Sequence, residues 1–256
     1  MQANETELHL SSFGAFNLAG TNLKVVGEAN DYVAKGMNGG KIVIVPPKVA
    51  KFTPSESSIV GNACLYGATG GEFFANGRAG ERFCVRNSGT YAVTEGSGDH
   101  LCEYMTGGVV VCLGSTGRNI GAGMTGGLAY VLSDEKERSV FKKRVNNEIV
   151  RVQRIKTVEG EDQLRGMVEK HATETGSQVA KDILIDWEEK VKNGFWQIYP
   201  PSEKGSRLVS VSEGEVGERT REGEVGKGMV RNAESQGECF VSAGDLDAEM
   251  TGRCAD

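Results

Sequence analysis

Short apolar runs led by a glycine pair recur through the first half of the chain: "MNGGKIVIV" (37–45), "ATGGEFFAN" (68–76), "MTGGVVVCL" (105–113) and "MTGGLAYVL" (124–132). Runs this brief, rich in β-branched residues and bounded by glycine, predict strands rather than helices. Nine residues before the first glycine of each pair stand Asn30, Gly61, Gly98 and Gly117. A fifth copy opens at Gly80, with Gly89 at the ninth position and Thr90 in place of the second glycine. The starts are spaced by 31, 19, 18 and 19 residues. The long first interval holds "PPKVAKFTPSESS", whose prolines and serines predict a loop.

Within the copies the third position is Val33, Cys64, Phe83, Leu101 and Ile120, all apolar. The twelfth, Ile42, Phe73, Ala92, Val110 and Ala129, is apolar too, and the first, Asp31, Asn62, Glu81, Asp99 and Arg118, is always polar. Fixed inside and outside positions at a period near 19 describe stacked coils. At roughly 3.3 Å per extended residue one coil has a perimeter of about 60 Å. That suits a parallel β-helix with about three short faces, whose interior row runs through Val33, Cys64, Phe83, Leu101 and Ile120.

After Leu132 the period changes. Residues 134–156 carry eight basic and four acidic residues. "EDQLRGMVEKHA" sets Leu164, Met167, Val168 and His171 on one helical face, and "AKDILIDWEEKVKNGFW" does the same with Ile183, Leu184, Trp187 and Val191. Two or three amphipathic helices are expected to pack on the end of the solenoid as a cap. "FWQIYPPSE" (195–203) is an aromatic segment ended by a Pro-Pro turn. From Lys204 onward only Phe240 is aromatic and "EGEVGERTREGEVGKG" nearly repeats itself, so a disordered tail is expected. The organisation is thus a β-helix domain over 1–133, a helical extension over 134–203 and a tail over 204–256.

Composition narrows the function. The net charge of −6 argues against a nucleic-acid partner. No run of 18 apolar residues is present to span a membrane. Six cysteines without a C-x-x-C read as reduced thiols of an intracellular protein.

Three stretches carry candidate chemistry. "GDHLCEYMTGG" (98–108) packs Asp99, His100, Cys102 and Glu103 together, as a metal site or a thiol beside its base would. The repeat assigns these residues to one coil's version of a scaffold position. If the segment is extended, His100 and Cys102 share one face and Asp99, Leu101 and Glu103 the other, so the five do not converge. Cys102 is then expected to face outward beside an inward Leu101, with Cys84 and Cys102 stacked in neighbouring coils as free thiols. "GAGMTG" (121–126) satisfies G-x-G-x-x-G, but a strand-like run follows it where a dinucleotide site needs a helix. "GRAGERF" (77–83) offers Arg78 and Arg82 as anion ligands or as solvated corner residues. His171, on a helical stripe, reads as a packed histidine rather than a ligand. No catalytic, cofactor-binding or metal-binding residue is assigned.

Residues 12–203, from "GEANDYVAKGMNGGKIVIVPP" through "VGNACLYGATGGEFFANGRAGERFCVRNSGTYAVTEGSGDHLCEYMTGGVVVCLGSTGRNIGAGMTGGLAYVL", closely resemble the C-terminal domain of glutamate synthase. "FWQIYPPSE" is more similar to the ferredoxin-dependent type than to the pyridine-nucleotide type. The resemblance implies a right-handed parallel β-helix, with "SSFGAF" as a preceding coil cut short. It also implies a scaffold for an amidotransferase domain and a flavin-bearing barrel, which together make glutamate from glutamine and 2-oxoglutarate in ammonia assimilation. FMN and an iron–sulfur cluster belong to that larger enzyme, and none of the family's catalytic residues has a position here. The chain is expected to be a fragment, inactive alone and without cofactor. Its place is the plastid stroma if the enzyme is of the plant type and the cytoplasm otherwise. Two other classes share the pattern. A β-helix enzyme acting on acidic polysaccharide needs a charged ladder, which Asp31, Asn62, Glu81, Asp99 and Arg118 do not form. A subunit like that of formylmethanofuran dehydrogenase has a similar repeat but not the helical extension.

Overall fold

The structure is a computed structural model that describes residues 10–133, 138–210 and 239–242. Its body is a β-solenoid of about six turns. The strands β1 (Asn22–Val26), β2 (Asn38–Val45), β4 (Gly70–Ala75), β6 (Ser88–Thr94), β7 (Thr106–Cys112) and β8 (Gly126–Leu132) stack in parallel, one per coil. The short β3 (Ser58–Val60) and β5 (Arg78–Ala79) pair separately at a corner. The register puts Ile42, Phe73, Ala92, Val110 and Ala129 directly opposite one another, which is the twelfth position of the repeat. All five are buried, and so are Val33, Cys64, Phe83, Leu101 and Ile120 across the interior. The inserted "PPKVAKFTPSESS" contributes a 3-10 turn, Pro54–Glu56, and at Ser58 runs into β3.

The glycine pairs have a division of labour. The first glycine sits where coils nearly touch: a Cβ on Gly126 would lie 2.1 Å from the carbonyl oxygen of Thr106. The second, as at Gly127 with φ of 80°, is left-handed. Thr90 escapes that requirement because Asn87 turns the chain instead, accepting from the Thr90 N–H at 3.0 Å and donating to the Thr90 carbonyl at 3.0 Å.

Opposite the strands, each coil runs through six residues in which alternate positions are left-handed. Tyr32, Ala34 and Gly36 are one such set, and His100, Cys102 and Tyr104 another. Every left-handed non-glycine residue among the described residues belongs to one of these sets. The second and sixth N–H groups of a coil donate to the first and fifth carbonyls of the next, as Arg82 does to Asp99 (2.8 Å) and Arg86 to Glu103 (2.8 Å). The fourth N–H donates backward, as Cys102 does to Phe83 (2.9 Å). This face is therefore not the extended segment expected, and it corrects the orientation of Cys102. Left-handed turns at alternate residues curl the chain so that positions three and four both point inward. Leu101 and Cys102 are both fully buried, as are Phe83 and Cys84. Cys84 and Cys102 are free thiols, as expected.

The helices do not cap the end of the solenoid. α2 (Val158–Thr175) begins at an N-cap where Thr157 Oγ1 accepts the Gly160 N–H (3.0 Å), and ends at left-handed Gly176. With α3 (Gln178–Ile185) it lies across the outer face of the sheet, over β2, β4, β6 and β7. Leu164, Met167, Val168 and Ile183 meet the outward residues Val43, Phe74, Val93, Val111 and Tyr130. The reason is visible in the strands, which are apolar at consecutive positions and so need cover on both faces. The end is closed by other elements. β10 (Phe195–Tyr199) joins β8 antiparallel, β9 (Arg151–Gln153) joins β10, and α1 (Arg138–Arg144) leads into Val145, which follows Ile120 in the interior row. Phe141 and Trp196 stack there with ring centroids 5.8 Å apart.

Lys204–Ser210 extend the ordered part past the expected boundary, because Val209 is buried against the outer core and accepts a hydrogen bond from Gln153 Nε2 at 2.7 Å. Cys239–Ser242, within the stretch expected to be disordered, form β11 beside β1. Their backbone pairs along the edge that β1 would otherwise leave open. Residues 211–238 and 243–256 lie outside the described residues.

Burial of both neighbours predicts a paired mutational result. Leu101→Ala should lower stability by about 2–5 kcal/mol. Cys102→Ser, which puts a hydroxyl among apolar side chains, should lower it by about 1–3 kcal/mol. Denaturant melts of the two variants test this, and a neutral Cys102→Ser would return the thiol to the surface.

Candidate functional site

The cluster at Asp99–Glu103 is where sequence chemistry is densest, and the coil geometry determines what each group does. Asp99 stands at a corner. Its Oδ1 accepts the N–H of Arg118 in the next coil at 2.7 Å, and its Oδ2 lies 3.2 Å from Arg118 Nη2. Asp31 accepts the Asn62 N–H (2.7 Å) and Asn62 accepts the Glu81 N–H (2.8 Å) in the same way. At Asp31, Asn62 and Asp99 the polar first position is thus an acceptor for a backbone donor of the next coil. These bonds, first from the Arg118 N–H and then from its side chain, hold the Asp99 carboxyl below its ordinary pKa.

Contrary to the extended-chain expectation, two of the five residues do approach one another. The turn brings Glu103 Oε1 to 3.5 Å from His100 Nδ1. Asn146 Nδ2 donates to Asn119 Oδ1 (3.0 Å), which turns the Asn119 amide nitrogen toward His100 Nδ1 (3.0 Å). Arg82 Nε lies 3.7 Å from Glu103 Oε2. The row is a side-chain ladder joining successive coils beside an open groove lined by Asp99, His100, Arg118, Asn119 and Lys143. Cys102 is on the opposite side, inside the core, and has no base.

The four described cysteines, Cys64, Cys84, Cys102 and Cys112, are all buried. Burial pushes the Cys64 thiol up to about 12 and the Cys112 thiol up to about 11, and raises Cys84 and Cys102 as well. A thiol kept protonated is a poor nucleophile and a poor metal ligand. No group of three or more metal-ligating side chains exists among the described residues.

The remaining candidates also resolve into scaffold roles. Gly121 and Gly123 of "GAGMTG" are left-handed residues of the last coil, and β8 rather than a helix follows them. Arg78 is half-buried and bonds the hydroxyl of Ser115 and the carbonyl of Ser97 (3.4 Å), so it ties corners together. Arg82 is exposed apart from its contact with Glu103. The segment 201–203 closes the last glycine turn, where Glu203 Oε1 accepts the Gly127 N–H at 3.1 Å.

Sequence reasoning missed one polar cluster. Glu95, at the end of β6, is buried beneath α2 and α3. Its Oε1 accepts from Ser177 Oγ at 2.5 Å and lies 3.4 Å from Nε2 of the buried His171. Ser177 Oγ in turn accepts the Ala180 N–H at 3.0 Å as the N-cap of α3. Ser177 and His171 are closed to solvent, and the cluster joins α2 and α3 to the end of β6.

A Gly-rich parallel solenoid with one helix-covered face defines a class of repeat scaffold. The sequence profile of the GXGXG motif matches residues 9–201, and the chain belongs to that family. Over 209 residues it is 56% identical to ferredoxin-dependent glutamate synthase 2 of Synechocystis, covering 82% of this chain and 13% of that protein. It is 59% identical over 192 residues to the ferredoxin-dependent glutamate synthase of Pyropia yezoensis, covering 75% of this chain and 12% of that one. With the chloroplastic enzyme of Spinacia oleracea it shares 53% identity over 199 residues, covering 78% and 12%. The chain therefore spans about an eighth of the length of these relatives.

Two measurements follow from the site. Asp99→Asn keeps the acceptor oxygen at every pH, whereas the wild-type carboxylate contributes above the ordinary aspartate pKa and loses its contribution as pH falls through its lowered value. Acidification below that range should therefore favour Asp99→Asn relative to wild type in thermal melts. In native protein at pH 8, iodoacetamide should leave Cys64, Cys84, Cys102 and Cys112 unlabelled, and unfolding should expose all four. Rapid native labelling of Cys102 in peptide maps would contradict its burial.

Proposed function

We propose that this chain is a structural, non-catalytic domain of a ferredoxin-dependent glutamate synthase polypeptide. Its task is to hold the amidotransferase and FMN-binding domains in register while they convert glutamine and 2-oxoglutarate to glutamate. FMN and the iron–sulfur cluster belong, in this reading, to those other domains. The observation that carries the proposal is the fate of the reactive side chains. Asp99, His100 and Glu103 are used between coils, the described cysteines are sealed in the core, and the similarity runs through this whole scaffold to about an eighth of each relative. The chloroplastic names of several relatives support a plastid location for a plant-type enzyme, with the cytoplasm the counterpart otherwise.

The purified chain should show neither glutaminase nor glutamate synthase activity and should bind neither flavin nor iron. A yellow or brown preparation with stoichiometric cofactor, or measurable glutamine hydrolysis, would overturn the scaffold reading.

A further inference from the structure

The two ends of the solenoid are closed in different ways. After β8 the interior row runs on into Phe141, Val145 and Trp196, all of them buried. At the other end the first coil sets Leu10, Phe13 and Leu23 against the interior, and these are only partly buried. Backbone groups are left over there as well. In the later coils the fourth residue of each six-residue run donates its N–H backward, as Ala34 does to the Phe13 carbonyl (2.8 Å). Gly14 holds that position in the first run and has no acceptor among the described residues.

Strand β1 continues this open end. The Thr21 carbonyl accepts from the Lys41 N–H (3.0 Å) and the Gly27 N–H donates to the Val45 carbonyl (2.8 Å), so odd-numbered residues here face β2. By the alternation of a strand, Lys24 and Val26 turn their backbone groups to the outer edge. Leu23 and Val25 belong to the inner core and Val26 to the outer one, so the edge is apolar on both faces. Its one charged residue, Lys24, is drawn aside, with Nζ donating to the Glu174 carbonyl at 3.3 Å. An apolar edge without a charge to guard it recruits strands.

What fills it comes from the far end of the chain. β11 lies parallel to β1, with Leu23 opposite Cys239 and Lys24 opposite Phe240. This register turns the Val241 N–H toward β1. Beyond Ser210 the sequence is poor in apolar residues, and Cys239-Phe240-Val241 is its longest apolar run and holds its one aromatic residue. The family match ends at residue 201, so this strand is not part of the matched repeat. A stack of about six turns is roughly 25 Å high at about 4.8 Å per strand. Residues 211–238, at roughly 3.3 Å each, have contour length well beyond that.

We propose that the C-terminal tail is a cap carried in cis: β11 takes the place of a preceding coil's strand and shuts an edge that otherwise accepts an extended apolar strand. The inference goes beyond the scaffold reading and does not depend on it. Affinity at such an edge comes from main-chain hydrogen bonds, so a free strand of the same sequence competes for it. The tail prevails because its tether holds it at a local concentration on the order of a millimolar.

The test compares the full chain with its Val241→Pro variant, which loses a backbone donor to β1 and changes nothing in the coils. The probe is a fluorescein-labelled peptide of residues 236–245, QGECFVSAGD, kept reduced. Fluorescence anisotropy should show the peptide binding Val241→Pro about a hundredfold more tightly than wild type, where the tethered strand competes. Hydrogen exchange should find the Lys24 and Val26 amides slow in wild type, fast in the variant, and slow again once the variant is saturated with peptide. Phe73, in an interior strand, should exchange slowly throughout, which shows that the variant is folded. Fast exchange at Lys24 and Val26 in wild type overturns the cap whatever the variant does. So does equal affinity of the two proteins for the peptide, or self-association of the folded variant in place of peptide binding. A variant in which Phe73 also loses protection makes β11 part of the core and overturns the cap as well.

Discussion

Hydrogen bonding from each coil to the next through the left-handed face is the constraint on which the molecule depends. A strand can leave its backbone groups to a neighbour on either side, but a turn normally consumes them locally. Here left-handed residues at alternate positions send two N–H groups forward and one back, so turn and strand alike are bonded between coils. Once that is so, the coil-to-coil distance is the same on both sides and the interior must be filled in layers. The close approach at the glycine pairs follows from the same spacing. So does the Asp or Asn acceptor at the corner, which takes up the N–H group that begins the runs at Asn62, Glu81 and Arg118.

The repeat made half of this legible. The rows at the third and twelfth positions are interior rows with the expected register, because both positions are apolar in all five copies whatever the backbone does. The handedness of the turns was not legible. Histidine, cysteine, tyrosine and arginine disfavour positive φ, so nothing in "DHLCEY" signals it, and an extended reading of that segment is the natural one. The consequence was the wrong side for Cys102 and the separation of His100 from Glu103. Only the glycines at equivalent positions, Gly14, Gly36, Gly67, Gly121 and Gly123, together with Asn119, carried the information.

The placement of the helices failed for a different reason. A solenoid needs its ends closed, and an amphipathic helix is an obvious closure. The strands already contained the contrary evidence: "KIVIV" and "GVVVCL" lack the alternation that a half-exposed sheet shows. Consecutive apolar residues required a second layer, and α2 and α3 are the elements long and apolar enough to supply it. The end after β8 was left to antiparallel β10 and to Phe141, Val145 and Trp196, where a reversed strand direction stops the parallel stack.

In these coils carboxylate and thiol alike are tied into the packing and bonding that hold the stack together. In a solenoid each coil is stabilised by its neighbours, so a group recruited for catalysis would have to be withdrawn from the bonding that holds the next coil. Asp99 illustrates the conflict: a carboxylate that accepts the Arg118 N–H is fixed in place and held in its charged form, which suits a staple and leaves it no proton to transfer at neutral pH. The buried thiols face the opposite obstacle, being kept protonated by the apolar interior. Both arguments push chemistry out of the coils and leave the outward side chains free to vary.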